Sequence, residues 1–536
     1  ILGARAADIL HDYAKGYLRI LPNSLSNDEA AATTPLAPDT VACMLKEWVT
    51  MRLKMLPKKG DLHDLNNWRG IMLLDAASKL VSMIIANRLD RVLKEEGLEA
   101  QNGFTGGRGC SDGSFSLRQA LKRRREHGLE SWVLFVDLVK AFDSVPRDVL
   151  WAVLAKFGIP PHLLGVIKRM HEGLLVSFEI GGEKVEVPNT AGVKQGDNMA
   201  PLLFIFVMQA CLETLGDTWP VGKLEFRTNT RTTGVNGGKV SGTDWTNKGE
   251  FSFEIWCSLY ADDAGVMHSS RADLVAGAEA IDAHLKLFGL LMHVGRGGKR
   301  SKTEAVLFHK RHSRQEDGDT SDITLPCGGT ISFTPQFTYL GSMIHCSLSD
   351  SHDVANRIRK ASAAFGALRE TIFGTKYVPL QAKAALYSSG VLSVLLYGCE
   401  SWCLTQKGML TPLRNWHNKR IREMCRVTMH QVELYSITSV ELQKRIGIWD
   451  LDYYVGRRTL QWVGHVARMD KSRLPRRLLT AWVREPRPEF GQEMSYGRSL
   501  ERWLKLFGLP LRYTEWATLA QDRAEWARLI TRKRPQ

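Results

Sequence analysis

Two short apolar runs in this 536-residue chain each end at aspartate. The first run, 132–136, is continuous, which is typical of a buried strand, and Asp137 follows it directly. The second run, 257–259, leads to the pair Asp262 and Asp263, and a further run, 264–267, follows the pair. The pattern predicts a hairpin with both carboxylates at its turn.

Carboxylates at two strand ends suit a hard divalent cation. Mg²⁺ prefers oxygen ligands and is usually shared between one or two carboxylates and substrate phosphates. An aspartate pair by itself more often forms a solvated turn, so neighbouring motifs decide between the two interpretations. With those motifs included, we predict that Asp137, Asp262 and Asp263 are catalytic and bind two Mg²⁺ ions, for which Mn²⁺ is a possible substitute.

The overall composition is that of a folded, basic protein. Lys and Arg number 72 against 57 Asp and Glu, a net charge of +15 that favours polyanion binding. Hydrophobic residues make up 44%, as in ordinary globular chains. The length predicts roughly three or four domains. The 9 cysteines lack regular spacing, which predicts reduced thiols and an intracellular protein.

Local patterns predict several elements. Apolar periodicity predicts helices over 78–96 and 147–172, and a strand over 251–260. A hairpin is expected around Gly181 and Gly182.

No membrane span is expected. The most apolar stretch, 199–212, is interrupted by Pro201 and Gln209 and is shorter than the roughly 20 residues that a span needs. The sequence also has no secretory signal pattern.

Further motifs surround the aspartates in a definite order. The segments 135–143, 195–196 with 200–203, and 260–263 resemble the successive palm motifs of reverse transcriptases, most closely those of non-LTR (LINE-like) retrotransposons. The resemblance extends from about residue 48 to past residue 470. Several motifs in the family's order make it far more specific than any one of them alone.

The resemblance implies an α+β fold of the right-hand polymerase kind, with fingers, a palm built on an antiparallel sheet, a helical thumb and a helical, basic C-terminal region. The expected parts are a helical extension with fingers (1–130), the palm (131–310), a primer-grip hairpin with the thumb (323–435) and a Trp-rich region (436–536). Most tryptophans of the last region are expected in helix cores, although stacking on bases is the alternative.

The family's site residues are matched one by one. Asp137 and Asp262 match the principal metal ligands, with Asp263 beside them. Phe142 matches the bulky steric gate that lies under the sugar and excludes a ribose 2′-hydroxyl; plain core packing is the alternative. Gln195 and Gly196 match residues that contact the incoming nucleotide and the template.

Three basic residues match the fingers motifs. Arg69 can form a bidentate fork on phosphate oxygens, and Lys58 or Lys59 adds charge. As a bare charge run these residues would form a solvated face.

Two further matches lie after the palm motifs. Lys302 resembles the lysine that protonates departing pyrophosphate, with an exposed salt-bridging lysine as the alternative. Tyr339, Leu340 and Gly341 resemble the primer-grip hairpin. Four possible metal ligands have spacings that fit no zinc knuckle and fall in a segment that resembles the thumb: Cys399, Cys403, His417 and Cys425.

The implied function is RNA-directed DNA polymerisation, with an RNA template, a DNA primer or target DNA, and dNTPs as partners, in the nucleus. Nothing resembles an endonuclease, so a nicking domain or protein is expected from elsewhere. The alternatives are an RNA-binding intron-maturase-like protein, an RNA-dependent RNA polymerase and a catalytically inactive remnant of an element. Ala261 and Phe142 disfavour RNA synthesis, and the three aspartates disfavour a remnant.

Overall fold

The structure is a computed structural model that describes residues 50–58, 61–229, 250–310, 318–404, 408–481, 483 and 495–531. The chain divides into two compact units. Of the described residues, the first unit combines those up to 108 with 137–220 and 277–293. The second unit combines 109–136 with the described residues of 221–276 and those from 294 onward.

The strands of the described residues run in chain order as β1 (Thr50–Pro57), β2 (Trp68–Leu73), β3 (Ser131–Val136), β4 (Leu175–Ile180), β5 (Glu183–Pro188), β6 (Leu224–Asn229), β7 (Glu250–Ile255), β8 (Cys257–Tyr260), β9 (Asp263–His268), β10 (Glu304–Phe308), β11 (Ile323–Thr324), β12 (Thr330–Phe333), β13 (Gln336–Tyr339) and β14 (Ser342–His345).

The α-helices are Ala76–Glu96, Cys110–Glu126, Ala141–Ser144, Arg147–Lys156, Pro161–Arg169, Ala200–Asp217, Arg271–Leu287, Ser351–Ala367, Leu380–Leu386, Ser393–Leu395, Thr411–Met424, Met429–Leu434, Ser439–Ile446, Leu451–Arg468, Leu474–Leu479, Tyr496–Leu506, Tyr513–Leu519 and Arg523–Leu529. Arg369–Phe373 and Tyr387–Leu392 form π-helical turns, and Leu65–Asn67 and Cys399–Ser401 form 3₁₀ turns. The mixture of helices with separate, mainly antiparallel sheets confirms the α+β class.

The first unit contains a sheet of order β2-β1-β4-β5, in which β1 is antiparallel to β2 and parallel to β4. The hairpin of β4 and β5 turns at Gly181 and Gly182, as predicted. Helix Ala76–Glu96 confirms the helix predicted over 78–96, and the Asp75 carboxylate caps it by accepting from two backbone N–H groups of its first turn.

Two expectations for the first unit need correction. The helix predicted over 147–172 is two helices, because a left-handed Gly158 and the pair Pro160 and Pro161 end one and start the next. Pro201 does not interrupt the apolar stretch, because proline is tolerated in the first turn of a helix. Helix Ala200–Asp217 is therefore long and apolar enough to cross a membrane by length and composition, and 67% of it is buried within the protein.

The second unit contains a sheet of order β11-β12-β10-β3-β9-β8. Strand β3 is entirely buried and pairs antiparallel with β9 and β10, which confirms the predicted buried strand. The single strand predicted over 251–260 is two strands that separate at Trp256. Strand β7 pairs with β6, whereas β8 pairs with β9.

Most helices after residue 350 share one hydrophobic core, which contains Phe115 and buried residues between Val354 and Ile530. The segments predicted as thumb and as Trp-rich C-terminal region both contribute to it. Four tryptophans of the C-terminal region are buried in the core, as expected: Trp462, Trp503, Trp516 and Trp526. Trp482 lies outside the described residues.

Candidate active site

The predicted aspartate hairpin is present in the second unit. Strands β8 and β9 pair with Tyr260 opposite Asp263. Ala261 has a left-handed φ of 54°, which closes the turn tightly. The side chain of Asp262 is half-buried and that of Asp263 is exposed, so this tip presents two adjacent carboxylates.

The central strand β3 ends beside this hairpin. Val136, its last residue, lies opposite Ala264, which is the second residue of β9. Asp137 follows Val136 by one peptide bond, and its backbone carbonyl accepts a hydrogen bond from the N–H of His293 over 2.8 Å. Asp137 therefore lies at the carboxyl end of β3, the strand that pairs with the aspartate hairpin.

The chemistry of these side chains fits a divalent cation. Carboxylate oxygens are hard ligands, and a protein-bound Mg²⁺ usually takes its remaining ligands from substrate phosphates and water. Within the described ranges, no group of three or more His, Cys, Asp and Glu side chains could hold a metal by itself. The structure places the carboxylates of Asp262 and Asp263 next to each other at one turn, and Asp137 directly after the last residue of β3.

Phe142 occupies a supported position in the first unit. Its ring stacks on Phe204 with centroids 4.9 Å apart, and Phe204 is fully buried in helix Ala200–Asp217. Its backbone carbonyl accepts from the N–H of Val193 over 2.9 Å. Phe142 itself is half-buried, so its ring is backed by the core while part of it stays accessible.

The loop that follows Val193 places Gln195 and Gly196. The N–H of Met72, on β2, donates to the carbonyl of Gln195 over 2.8 Å. Gly196 has a φ of +119°, and a Cβ there would lie 2.3 Å from the carbonyl oxygen of Met72. Only glycine fits this position, because the backbone of the loop lies directly against β2.

A buried ion pair that the sequence analysis missed holds the same loop. The ammonium of Lys194 lies 3.4 Å from the carboxylate of Asp197, and both side chains are about 1% exposed. Asp197 also accepts from the hydroxyl of Ser82 and, over 3.4 Å, from the N–H of Met199. Burial lowers the pKa of Lys194, and Asp197 opposes that effect.

The fingers cations lie at one end of the β1–β2 hairpin. The N–H of Lys58 donates to the carbonyl of Asn67 over 2.6 Å. On β2, Arg69 lies two residues after Asn67, opposite Leu56 of β1. Both basic side chains are exposed and can reach a phosphate. Lys59 lies outside the described residues.

The primer-grip residues form the turn of the β13–β14 hairpin in the second unit. Tyr339 is fully buried, and its hydroxyl donates to the carbonyl of Ser258 over 2.8 Å. Leu340 and Gly341 are both left-handed, with φ of 47° and 77°. The hairpin predicted from the sequence is confirmed, although its role as a primer grip stays a prediction.

Lys302 lies just before β10. Glu304, the first residue of β10, is opposite Phe135 near the carboxyl end of β3. Strand β10 is antiparallel to β3, so the residues just before β10 lie near the carboxyl end of β3. Lys302 is one of these residues. Its side chain is exposed between the buried Ser301 and Thr303.

Two of the four possible zinc ligands, His417 and Cys403, lie in surroundings that disfavour zinc binding. His417 hydrogen-bonds through Nδ1 to the hydroxyl of Tyr387 over 2.8 Å and through Nε2 to the carbonyl of Trp449 over 3.0 Å. Burial raises the pKa of the Cys403 thiol to about 11, which disfavours the thiolate that zinc requires.

Comparison with known proteins identifies one family model. The model described as "Reverse transcriptase (RNA-dependent DNA polymerase)" matches residues 56–344, which include every site residue predicted above.

Individual relatives belong to mobile elements. The chain is 30% identical over 177 residues to a retrovirus-related Pol polyprotein from the type-1 retrotransposable element R2 of Popillia japonica, covering 33% of this chain and 25% of the relative. It is 23% identical over 454 residues to a probable RNA-directed DNA polymerase from transposon BS of Drosophila melanogaster, covering 81% and 44%. The chain thus spans less than half of either relative.

Among solved structures, apo telomerase from Candida tropicalis matches with 10% identity and a TM-score of 0.39, covering 90% of this chain and 75% of that one.

Proposed function

This chain belongs to the reverse transcriptase family, among those of non-LTR retrotransposons, and from that membership we propose that it extends a DNA primer on an RNA template with dNTPs. One observation carries the proposal. The β8–β9 hairpin, with Asp262 and Asp263 at its turn, pairs with β3, and Asp137 directly follows β3.

We assign roles to the chain's own residues. Asp137 and Asp262 would hold the metal ions, with Asp263 beside them. Bound there, two Mg²⁺ ions, or Mn²⁺ in their place, would supply the positive charge for activating the primer 3′-hydroxyl and stabilising the departing pyrophosphate. The ammonium of Lys302 would donate a proton to an oxygen of the departing pyrophosphate.

The remaining residues would select and orient the nucleotide. Lys58 and Arg69 would neutralise its phosphates, and Gln195 with Gly196 would contact it from the loop fixed on β2. The stacked Phe142 would exclude a ribose 2′-hydroxyl. The turn at Leu340 and Gly341 would contact the primer terminus, with the buried Tyr339 supporting it from within the unit.

We further propose an intracellular protein that acts on DNA in the nucleus, with target nicking supplied by another domain or protein. The alternatives, an intron-maturase-like RNA-binding protein and an inactive remnant, are not favoured by the family match.

The test is primer extension by the purified chain on poly-rA/oligo-dT with Mg²⁺ or Mn²⁺. The proposal predicts dTTP incorporation that depends on the RNA template and on the divalent cation. Binding of the template without any incorporation, over a range of salt and metal concentrations, would favour the RNA-binding alternative.

A further inference from the structure

The turn of the β13–β14 hairpin needs support from outside itself. Leu340 is a non-glycine residue in the left-handed region, a conformation that costs on the order of 1 kcal/mol or more. Gly341 is left-handed too, and a Cβ there would lie 3.3 Å from the ring of Tyr397. A turn with this backbone keeps one shape only when neighbouring groups hold it.

Two side chains from the helical part of the second unit bind its carbonyl groups. The hydroxyl of Tyr397 donates to the carbonyl of Leu340 over 2.9 Å. The guanidinium of Arg357 donates to the carbonyl of Gly341. The guanidinium carbon of Arg357 also lies 4.6 Å from the centre of the Tyr397 ring, a cation–π contact that stabilises both side chains in place.

Arg357 is itself fixed by a buried carboxylate. Its Nε lies 3.5 Å from Asp353, and both side chains are at most 4% exposed. Asp353 also accepts from the Ser342 hydroxyl over 2.8 Å and from the N–H of Met343 over 3.0 Å, both on β14. The same carboxylate therefore anchors the arginine and the strand that leaves the turn.

We propose that Arg357 and Tyr397 are positioning residues for the primer 3′ terminus, acting through the carbonyl groups of Leu340 and Gly341. The inference rests on the proposed polymerase function and adds two residues outside the palm, fingers and primer-grip motifs. Neither side chain is assigned a contact with the nucleotide, so their loss should change how the primer end is held and leave dNTP binding unchanged.

The test compares Tyr397→Phe, which keeps the ring under the arginine, and Arg357→Lys, which keeps the charge beside Asp353. At saturating primer–template, each variant should incorporate the first nucleotide about threefold to tenfold more slowly in a single turnover, as expected for one lost hydrogen bond. The KM for dNTP should stay unchanged. A 2-aminopurine at the primer 3′ end should fluoresce more strongly, because the terminal base is held less firmly.

The matched controls are Tyr377→Phe, at a tyrosine that is 83% exposed, and Arg359→Lys, at an exposed position of the same helix as Arg357. Both should behave as wild type. Wild-type rates and fluorescence in Tyr397→Phe would overturn the proposal, as would a raised dNTP KM with a lowered melting temperature, which indicates a general structural defect. A wild type that extends no primer would reject the polymerase function itself, a distinguishable result.

Discussion

The hydroxyl of Tyr339 donates a hydrogen bond to the carbonyl of Ser258 over 2.8 Å. Tyr339 ends strand β13, and Ser258 lies on β8, which leads into the aspartate turn. The bond therefore joins the predicted primer-grip hairpin to the predicted catalytic hairpin within one unit.

We predict that Tyr339→Phe lowers the free energy of unfolding by about 1 kcal/mol, because one buried hydrogen bond is lost while the ring remains packed. Thermal melting at neutral pH measures the effect. The exposed Tyr377→Phe is the comparison. An unchanged melting temperature would mean that the bond contributes nothing to the rigidity of the two hairpins.

Phe142→Val should admit ribonucleotides. The smaller side chain removes the bulk that would clash with a 2′-hydroxyl, while Phe204 still fills the core behind it. The measurement is the ratio of kcat/KM for dNTP and rNTP, which should fall strongly in the variant. Phe157→Val, at another half-buried ring that packs on Phe206, should leave the ratio unchanged. Equal ratios in the two variants would contradict the steric-gate role.

Losing one partner of the buried pair Lys194 and Asp197 should lower the stability of the folded chain far more than losing both partners. Asp197→Ala leaves an ammonium without its carboxylate, which should cost about 3–5 kcal/mol of stability. Adding Lys194→Met to it should restore part of that loss, because the uncompensated charge disappears. Melting temperatures of the single and double variants provide the test, and a double variant less stable than Asp197→Ala would contradict the account.

Acid should destabilise the second unit through His417. Burial lowers the pKa of this histidine to about 4, from 6.5. Below pH 6.5 the unfolded chain therefore binds a proton that the folded chain does not, so stability falls as the pH falls toward 4. The loss from this residue should reach about 2 kcal/mol at pH 5.

His417→Gln isolates this contribution. A glutamine can donate to the carbonyl of Trp449 and accept from the hydroxyl of Tyr387, yet it binds no proton. Between pH 7 and pH 5 the stability of this variant should fall less steeply than that of the wild type. Parallel pH profiles would show that His417 is not a source of the acid sensitivity.

The sequence predicted the elements whose patterns are local. The helix at Ala76–Glu96 has a regular apolar stripe, and β3 is a continuous apolar run, so each appeared within a residue or two. The division of the strand predicted over 251–260 at Trp256 could not be predicted, because the run stays apolar or β-forming while its partner changes from β6 to β9.

The buried charges of the site were equally hidden. Lys194 and Asp197 have the spacing of an ordinary surface pair, and nothing local indicates their burial. Arg118 and Lys122 look like a solvated basic helix face, yet both pair with the fully buried Asp350. Asp350 lies more than 200 residues after Arg118 and Lys122, so no local sequence pattern indicates that these residues pair.

The central claim is that Asp262 binds a catalytic metal ion. The most direct measurement is single-turnover primer extension on poly-rA/oligo-dT with Mg²⁺, comparing wild type, Asp262→Asn and the exposed control Asp217→Asn. We predict that Asp262→Asn slows incorporation by about 100-fold or more, with unchanged melting and primer–template binding, because several kcal/mol of transition-state stabilisation are lost. Incorporation by Asp262→Asn as fast as by Asp217→Asn would contradict the account.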